Sequence, residues 1–280
     1  MKAFLGMGLL GSNFVKAMLK QGEQVQVWNR THSKAMALEA DGAKAFENVE
    51  DAVKGAGVIH LTLKDDAAVN EVLANAKPGL QAGAIIIDHS TTSAEGAIAR
   101  TKSWEEAGFQ YVHAPVFMGP INALESTGNM LISGDQELIA KLTPELFKIT
   151  GKLVNLGEVI GKAAGIKLIG NLFLISLTAG LVDALSLAKG LDIPLTDVTD
   201  LFKDWNPATN LTGRLEKMVA GNFDSPSWEL SMARKDAGLM MDAASNSEQQ
   251  LITIPEIAKV MDAQIEKGNG NKDWMVIATS

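Results

Sequence analysis

Apolar positions in residues 1–157 follow two periods, with short strand-like runs separated by stretches whose apolar side chains recur every three to four residues. Residues 2–8 (KAFLGMG) read as a strand entering a tight turn. Residues 9–22 (LLGSNFVKAMLKQG) read as an amphipathic helix stopped by Gly22, and 24–29 (QVQVWN) as a second strand. The alternation continues with helix 33–42, strand 57–63, helix 66–76, strand 84–90, helix 94–108, strand 109–116, and strands at 128–134 and 151–157. Strands regularly separated by helices predict an α/β fold, with a doubly wound, mostly parallel sheet covered by helices on both faces.

After Gly157 the strand signals stop. A long apolar helix is expected over 161–189, followed by helices in 193–205, 210–221, 228–246 and 255–268, each bounded by Gly, Pro or Asn. The pattern predicts a domain over 1–158 and an all-α domain over 159–280, joined by the long helix. The longest charge-free run of that helix, Leu168 to Val182, falls short of the ~20 residues a membrane span needs and includes Asn171, Ser176 and Thr178. The helix is therefore expected to be buried in protein, with no membrane partner.

Composition narrows the chemistry. With 280 residues and 46% hydrophobic positions, the chain is long enough for two globular cores. A formal net charge of -8 argues against a nucleic-acid surface. The absence of cysteine excludes disulfides, thiolate nucleophiles and Cys-ligated zinc, and four scattered histidines give no metal-ligating pair, so no metal is expected. No basic segment precedes an apolar one at the N-terminus, which leads to a cytoplasmic expectation.

Three glycines, Gly6, Gly8 and Gly11, stand in G-x-G-x-x-G register between the first strand and the first helix. In that setting Gly6 permits the turn, Gly8 lets the backbone approach a pyrophosphate, and Gly11 allows close helix packing. Met7, Leu9 and Leu10 lie on the same loop and helix start, whose free N–H groups favour an anion. This predicts a Rossmann dinucleotide site. At the end of the second strand, where an acidic residue would accept from the ribose 2'-hydroxyl, the chain has Asn29, Arg30 and Thr31. Loss of the acid and gain of a guanidinium and a hydroxyl favour a 2'-phosphate, and so NADP (NADPH) over NAD.

Lys167 is the most informative charge in the apolar helix, and Asn171 follows four positions later on the same face. A carbonyl reduced by a hydride donor needs a proton and a positive field, and a positioned ammonium supplies both. Lys167 is the expected acid/base, and Asn171 is placed to hold either the carbonyl or the lysine itself.

These residues resemble the β-hydroxyacid dehydrogenase family, which includes 3-hydroxyisobutyrate dehydrogenases and glyoxylate/succinic semialdehyde reductases, within the 6-phosphogluconate dehydrogenase superfamily. The resemblance spans essentially the whole chain. It rests on FLGMGLLGSNFVKAML, NRT, DHST (Asp88 to Thr91), GIKLIGN, KDAGL from Lys235, and GNGNKDW near the C-terminus. It implies that Ser90 and Thr91 lie near the nicotinamide and the reacting group, that Leu63 and Lys64 line the adenosine and ribose channel, and that Lys235, supported by Asp236, closes over cofactor and substrate. It also implies a homodimer or higher oligomer such as a homotetramer.

One motif departs from the family. Where members commonly carry D-A-P-V-S-G-G-x-x-G-A, this chain has HAPVFMGPINA: His113 replaces the Asp, Phe117 and Met118 replace Ser and the first Gly, and Gly119 remains. Bulk at Phe117 and Met118 is expected to narrow the substrate pocket, unless both side chains point into the core while the backbone still binds an anion. The expected activity is NADPH-dependent reduction of a small aldehyde or ketone, a semialdehyde or 2-oxo acid. The alternatives are an imine reductase, whose members typically place Asp or Tyr at the Lys167 position, and a non-catalytic NADP-binding module.

Overall fold

Six short strands align in parallel as the first sheet of a computed structural model that describes residues 1–279. In chain order they are β1 (Lys2–Leu5), α1 (Leu9–Lys20), β2 (Val25–Trp28), α2 (His32–Met36), β3 (Lys44–Phe46), α3 (Val49–Val53), β4 (Val58–Leu61), α4 (Asp66–Ala76), β5 (Ile85–Asp88), α5 (Ala94–Glu106) and β6 (Gln110–His113), the helices being the crossovers. The sheet order is β3-β2-β1-β4-β5-β6. Reversal of winding at β1 and β4 makes this the doubly wound fold, whose ligand crevice lies at the carboxyl ends of the strands.

Burial follows the two-residue pleat. Ile85 and Ile87 of β5 join one apolar cluster with Phe4, Phe14 and Val27, while Ile86 joins the other with Leu5, Ile59, Leu73 and Trp104. Both faces of the sheet are therefore covered, as an all-parallel sheet requires.

Beyond β6 the chain leaves this sheet. β7 (Val116–Phe117), α6 (Pro120–Glu125), β8 (Asn129–Ile132), α7 (Gln136–Leu146) and β9 (Lys152–Asn155) follow, and β7, β8 and β9 form a separate three-stranded sheet in which β7 is antiparallel to β8. Pro115 stands at the break. It has no N–H to extend the parallel ladder, and its carbonyl accepts from Leu131 N at 2.8 Å in the second sheet. β3, α3, α6 and α7 lie outside the segments assigned from periodicity, and β9 closes the run of strands.

α8 (Lys162–Gly190) is one helix of 29 residues. The compact units divide within it, at Met1–Asn171 and from Leu172 onward, whereas the sequence pattern places the domain boundary at 158. Its first turns belong with the first unit because Ala163 and Ala164 are buried and Ala163 N donates to Ser133 Oγ at 3.0 Å.

The second unit contains the rest of α8 with α9 (Leu195–Asp204), α10 (Leu211–Ala220), α11 (Leu230–Asn246) and α12 (Ile254–Glu266). Its core gathers Phe223, Leu230, Ala237, Met261 and Met275. Two buried carboxylates organise it: Asp183 accepts from the amides of Ile252 and Thr253 at the start of α12, and Asp273 accepts from Lys217 Nζ at 2.6 Å and Ser227 N at 2.8 Å.

The apolar stretch of α8, expected to be buried, is largely exposed. Leu172, Leu174 and Ile175 are all more than half exposed. Periodicity reported an apolar helix correctly, but burial depends on what packs against it, and the helices of its own unit cover little of it.

Beneath the first sheet's carboxyl edge lies a buried imidazole pair stacked on Phe4 and Phe14. His89 Nδ1 lies 2.8 Å from the Ala114 carbonyl, which only accepts, so Nδ1 carries the proton and Nε2 accepts from His60 Nδ1 at 3.0 Å. Burial pushes His89 down to about 4 and holds His60 well below its ordinary value. A folded pKa below the unfolded one of 6.5 gives stability that is present above that pH and lost as pH falls toward 4. From His89 alone, unfolding free energy measured in urea is expected to drop by about 2 kcal/mol between pH 7 and pH 5. Equal stability at the two pH values would show that the pair protonates freely in the native state.

Candidate active site at the carboxyl edge of the sheet

Parallel register brings the last residues of five strands side by side: Trp28 with Leu5, Leu5 with Leu61, Leu61 with Asp88, and Asp88 with His113. The loops that follow therefore leave from one edge. They carry the glycine turn, Asn29 to Thr31, Leu63 and Lys64, and Ser90 and Thr91. Segments as far apart in sequence as Leu5 and Leu61 become neighbours through this pairing.

The three glycines have separable reasons to be glycine. Gly6 has φ +101°, and a Cβ there would collide with the Thr62 carbonyl; a Cβ on Gly11 would collide with the Gly6 carbonyl. Close approach of backbone to backbone inside the protein accounts for both. Gly8, the N-cap of α1, has φ -78°, and a Cβ there would meet nothing within 4 Å. Nothing in the chain demands glycine at this position, and the open space over it suits a ligand backbone or pyrophosphate approaching the start of α1. The first turn holds no acidic residue, so no negative side chain competes for its orphan N–H groups and dipole, a setting that favours an anion. Leu9 and Leu10 open this turn, and Met7 is buried behind it.

Asn29 is fixed rather than free. Its Oδ1 accepts from Met7 N at 2.9 Å and its Nδ2 donates to Thr31 O at 2.9 Å, tying the glycine turn to the second loop. Arg30 is exposed with no ion-pair partner among the described residues, and the Thr31 side chain makes no capping hydrogen bond. A guanidinium and a hydroxyl thus remain available side by side. Ser90 is buried, and its Oγ accepts from Leu63 N at 2.9 Å, linking the loops after β4 and β5. Lys64 is exposed and 3.6 Å from Asp65, and Thr91 is exposed.

A polar network that sequence reasoning missed supports this edge. Asp88, fully buried, accepts from Ser90 N at 2.8 Å and from the Tyr111 hydroxyl at 2.7 Å; that hydroxyl accepts from Arg100 Nε at 3.0 Å, and Arg100 reaches Asp66 at 2.7 Å and Thr92 at 2.8 Å. His113 Nε2 lies 2.9 Å from the Ser90 carbonyl. A buried charge must be paired, and here the pairing holds the Ser90 loop in place. The signals in the sequence were Asp88, first residue of the DHST motif, and an Arg inside helix 94–108.

Lys167 is 8% exposed, and burial lowers its pKa from the ordinary lysine value. Its Nζ donates to Asn171 Oδ1 at 2.9 Å and lies 4.2 Å from the centroid of the Phe117 ring. The neighbours Phe117 and Met118 diverge: Phe117 faces the amine, and Met118 packs on the apolar core beside Gly128. The Gly119 amide is already bonded to Asn122 Oδ1 at 2.9 Å. Lys235 lies on α11 in the second unit, exposed, with its amine 2.9 Å from Asp236. A groove of about 510 Å³ between α4 and α5 is lined by Asp66, Asn70, Arg100 and Trp104 and includes none of the expected site residues. Among the described residues no cluster of His, Asp or Glu is arranged to hold a metal.

Residues 2–160 match the family described as the NAD binding domain of 6-phosphogluconate dehydrogenase. The chain is 27% identical to 3-sulfolactaldehyde reductase of Escherichia coli (strain K12) over 98% of this chain and 93% of that one. It is 30% identical to glyoxylate/succinic semialdehyde reductase 2 of Arabidopsis thaliana over 68% of this chain and 54% of the other. Among solved structures, an imine reductase from Myxococcus stipitatus in complex with NADP+ superposes with a TM-score of 0.93 at 20% identity, covering 100% of this chain and 99% of that one.

Proposed function

Since this chain belongs to the family of the NAD binding domain of 6-phosphogluconate dehydrogenase, and with its relatives to the NAD(P)-dependent β-hydroxyacid dehydrogenases, we propose that it reduces a small aldehyde or ketone with NADPH, Lys167 giving the proton. The observation that carries this reading is the Lys167 ammonium, buried and held by Asn171 in a chain whose glycine turn leaves open space over Gly8. When bound, NADPH supplies the hydride. Gly6 to Gly11 would seat its pyrophosphate, Arg30 and Thr31 the 2'-phosphate, and Leu63, Lys64 and Ser90 its ribose and nicotinamide. Lys167 holds positive charge where the carbonyl oxygen becomes negative and then yields its proton to that oxygen, with Asn171 keeping the amine in place. Thr91 and Phe117 complete the substrate side.

Short semialdehydes and 2-oxo acids are the substrate class favoured by the relatives' names. The segment Phe117–Gly119 offers an acid little, because a ring stands at 117 and the Gly119 amide is taken by Asn122. A panel of glyoxylate, succinic semialdehyde, apolar aldehydes and cyclic imines, each with NADPH and NADH, tests the reading; no turnover of any aldehyde would leave a cofactor-binding module. Phe117→Ser is expected to raise the kcat/KM ratio of carboxylated over apolar aldehydes by about tenfold, the scale of one pocket group, and an unchanged ratio would remove Phe117 from the pocket. An iminium acceptor would be repelled by the Lys167 ammonium, which counts against imine reduction.

The exposed apolar side of α8 supports a homodimer in which a second copy covers Leu172, Leu174 and Ile175. α8 is long and apolar enough to cross a membrane, but Asp183 within it accepts from the amides of Ile252 and Thr253 at the start of α12, which favours a soluble enzyme. Light scattering at micromolar concentration is expected to give a mass of at least two chains; a monomer of 29.8 kDa would refute the dimer.

A further inference from the structure

Phe117 is bulky where the family is small, and its surroundings show what the bulk does. Its ring centroid lies 4.2 Å from Lys167 Nζ, while the far end of the ring rests on Gly170, where any Cβ would collide with Cζ. Asn171 Oδ1 takes one side of the amine at 2.9 Å. No carboxylate pairs with Lys167 among the described residues, so an ammonium removed from water has one amide oxygen and one ring to hold it. An aromatic face carries negative charge density that an aliphatic side chain of equal size lacks.

We propose that Phe117 is a positioning residue for Lys167: its ring face holds the amine against Asn171 and keeps it charged in apolar surroundings, and the missing Cβ of Gly170 leaves room for the ring. The relevance to turnover rests on the reading of Lys167 as proton donor, but the hold itself does not. Burial and the ring act in opposite directions on the amine, burial favouring the neutral form and the ring the charged one. A lysine left with burial alone would lose its proton at lower pH, and its side chain would gain freedom to leave Asn171.

NMR titration of the intact protein labelled at lysine Cε reads this directly, with the Lys167 signal assigned by its absence from Lys167→Arg. Phe117→Leu, which fills the space without a charged face, is expected to lower the Lys167 pKa by about one unit. Phe117→Tyr is expected to leave it in place. Gly170→Ala keeps the phenylalanine but pushes its movable ring aside, and is expected to lower the pKa as Phe117→Leu does, without a cavity that would compromise folding. Unchanged titration of Lys167 in both Phe117→Leu and Gly170→Ala would overturn the proposal. The pH profile of reduction, recorded on the same variants, separates it from the catalytic reading. If the NMR titration moves and the profile does not, Phe117 holds the amine and Lys167 is not the proton donor.

Discussion

Lys167→Ala is expected to bind NADPH as tightly as the parent chain and to reduce its aldehyde at least about 100-fold more slowly, the scale of a lost general acid. The loss falls on kcat because the ammonium acts mainly where negative charge develops on the carbonyl oxygen. Lys167→Arg keeps the charge but holds its proton at any working pH, so it is expected to restore little. Burial lowers the Lys167 pKa, and reduction needs the protonated form. Rate therefore falls as pH rises through that pKa, and the reverse oxidation, which needs the neutral amine, rises across the same range. Stopped-flow single turnovers would isolate the chemical step, and undiminished turnover in Lys167→Ala would end the lysine mechanism.

Arg30→Ala is expected to weaken NADPH by about tenfold to a hundredfold and NADH by less than about twofold, since one charge-assisted contact to the 2'-phosphate is lost. The free guanidinium and the uncapped Thr31 hydroxyl sit at the carboxyl end of β2, where the fold places the adenosine ribose. Arg30 is exposed, so the extra affinity it gives the proposed cofactor NADPH over NADH is expected to narrow as salt is raised. Fluorescence titration with both cofactors would measure this. Equal weakening of the two would mean that Arg30 supports the loop rather than reading the phosphate.

The alternating α/β order was legible because α1, α4 and α5 and the strands around them carry a full turn or more of clear periodicity, and because three glycines mark one turn. β3 and α3 were not, since a three-residue strand is held by pairing with β2, Gln26 beside Lys44 and Trp28 beside Phe46, rather than by its own pattern. Lys167 and Asn171 were visible together because four residues along a helix is a local distance. Asp66, Asp88, Arg100 and Tyr111 were not, because the sheet and two crossovers bring them together. Phe117 and Met118 looked alike as two bulky departures, yet one packs on the core and the other on an ammonium.

Residue order alone determined the period of the longer elements, the glycine spacing between the first strand and the first helix, and the four-residue spacing of Lys167 and Asn171, since these depend on neighbours a few positions away. Tertiary structure decided which strand ends share an edge, that α8 keeps its apolar side outward, and that a lone lysine meets a ring. Such outcomes depend on which distant surfaces exclude water from one another, which no local pattern encodes.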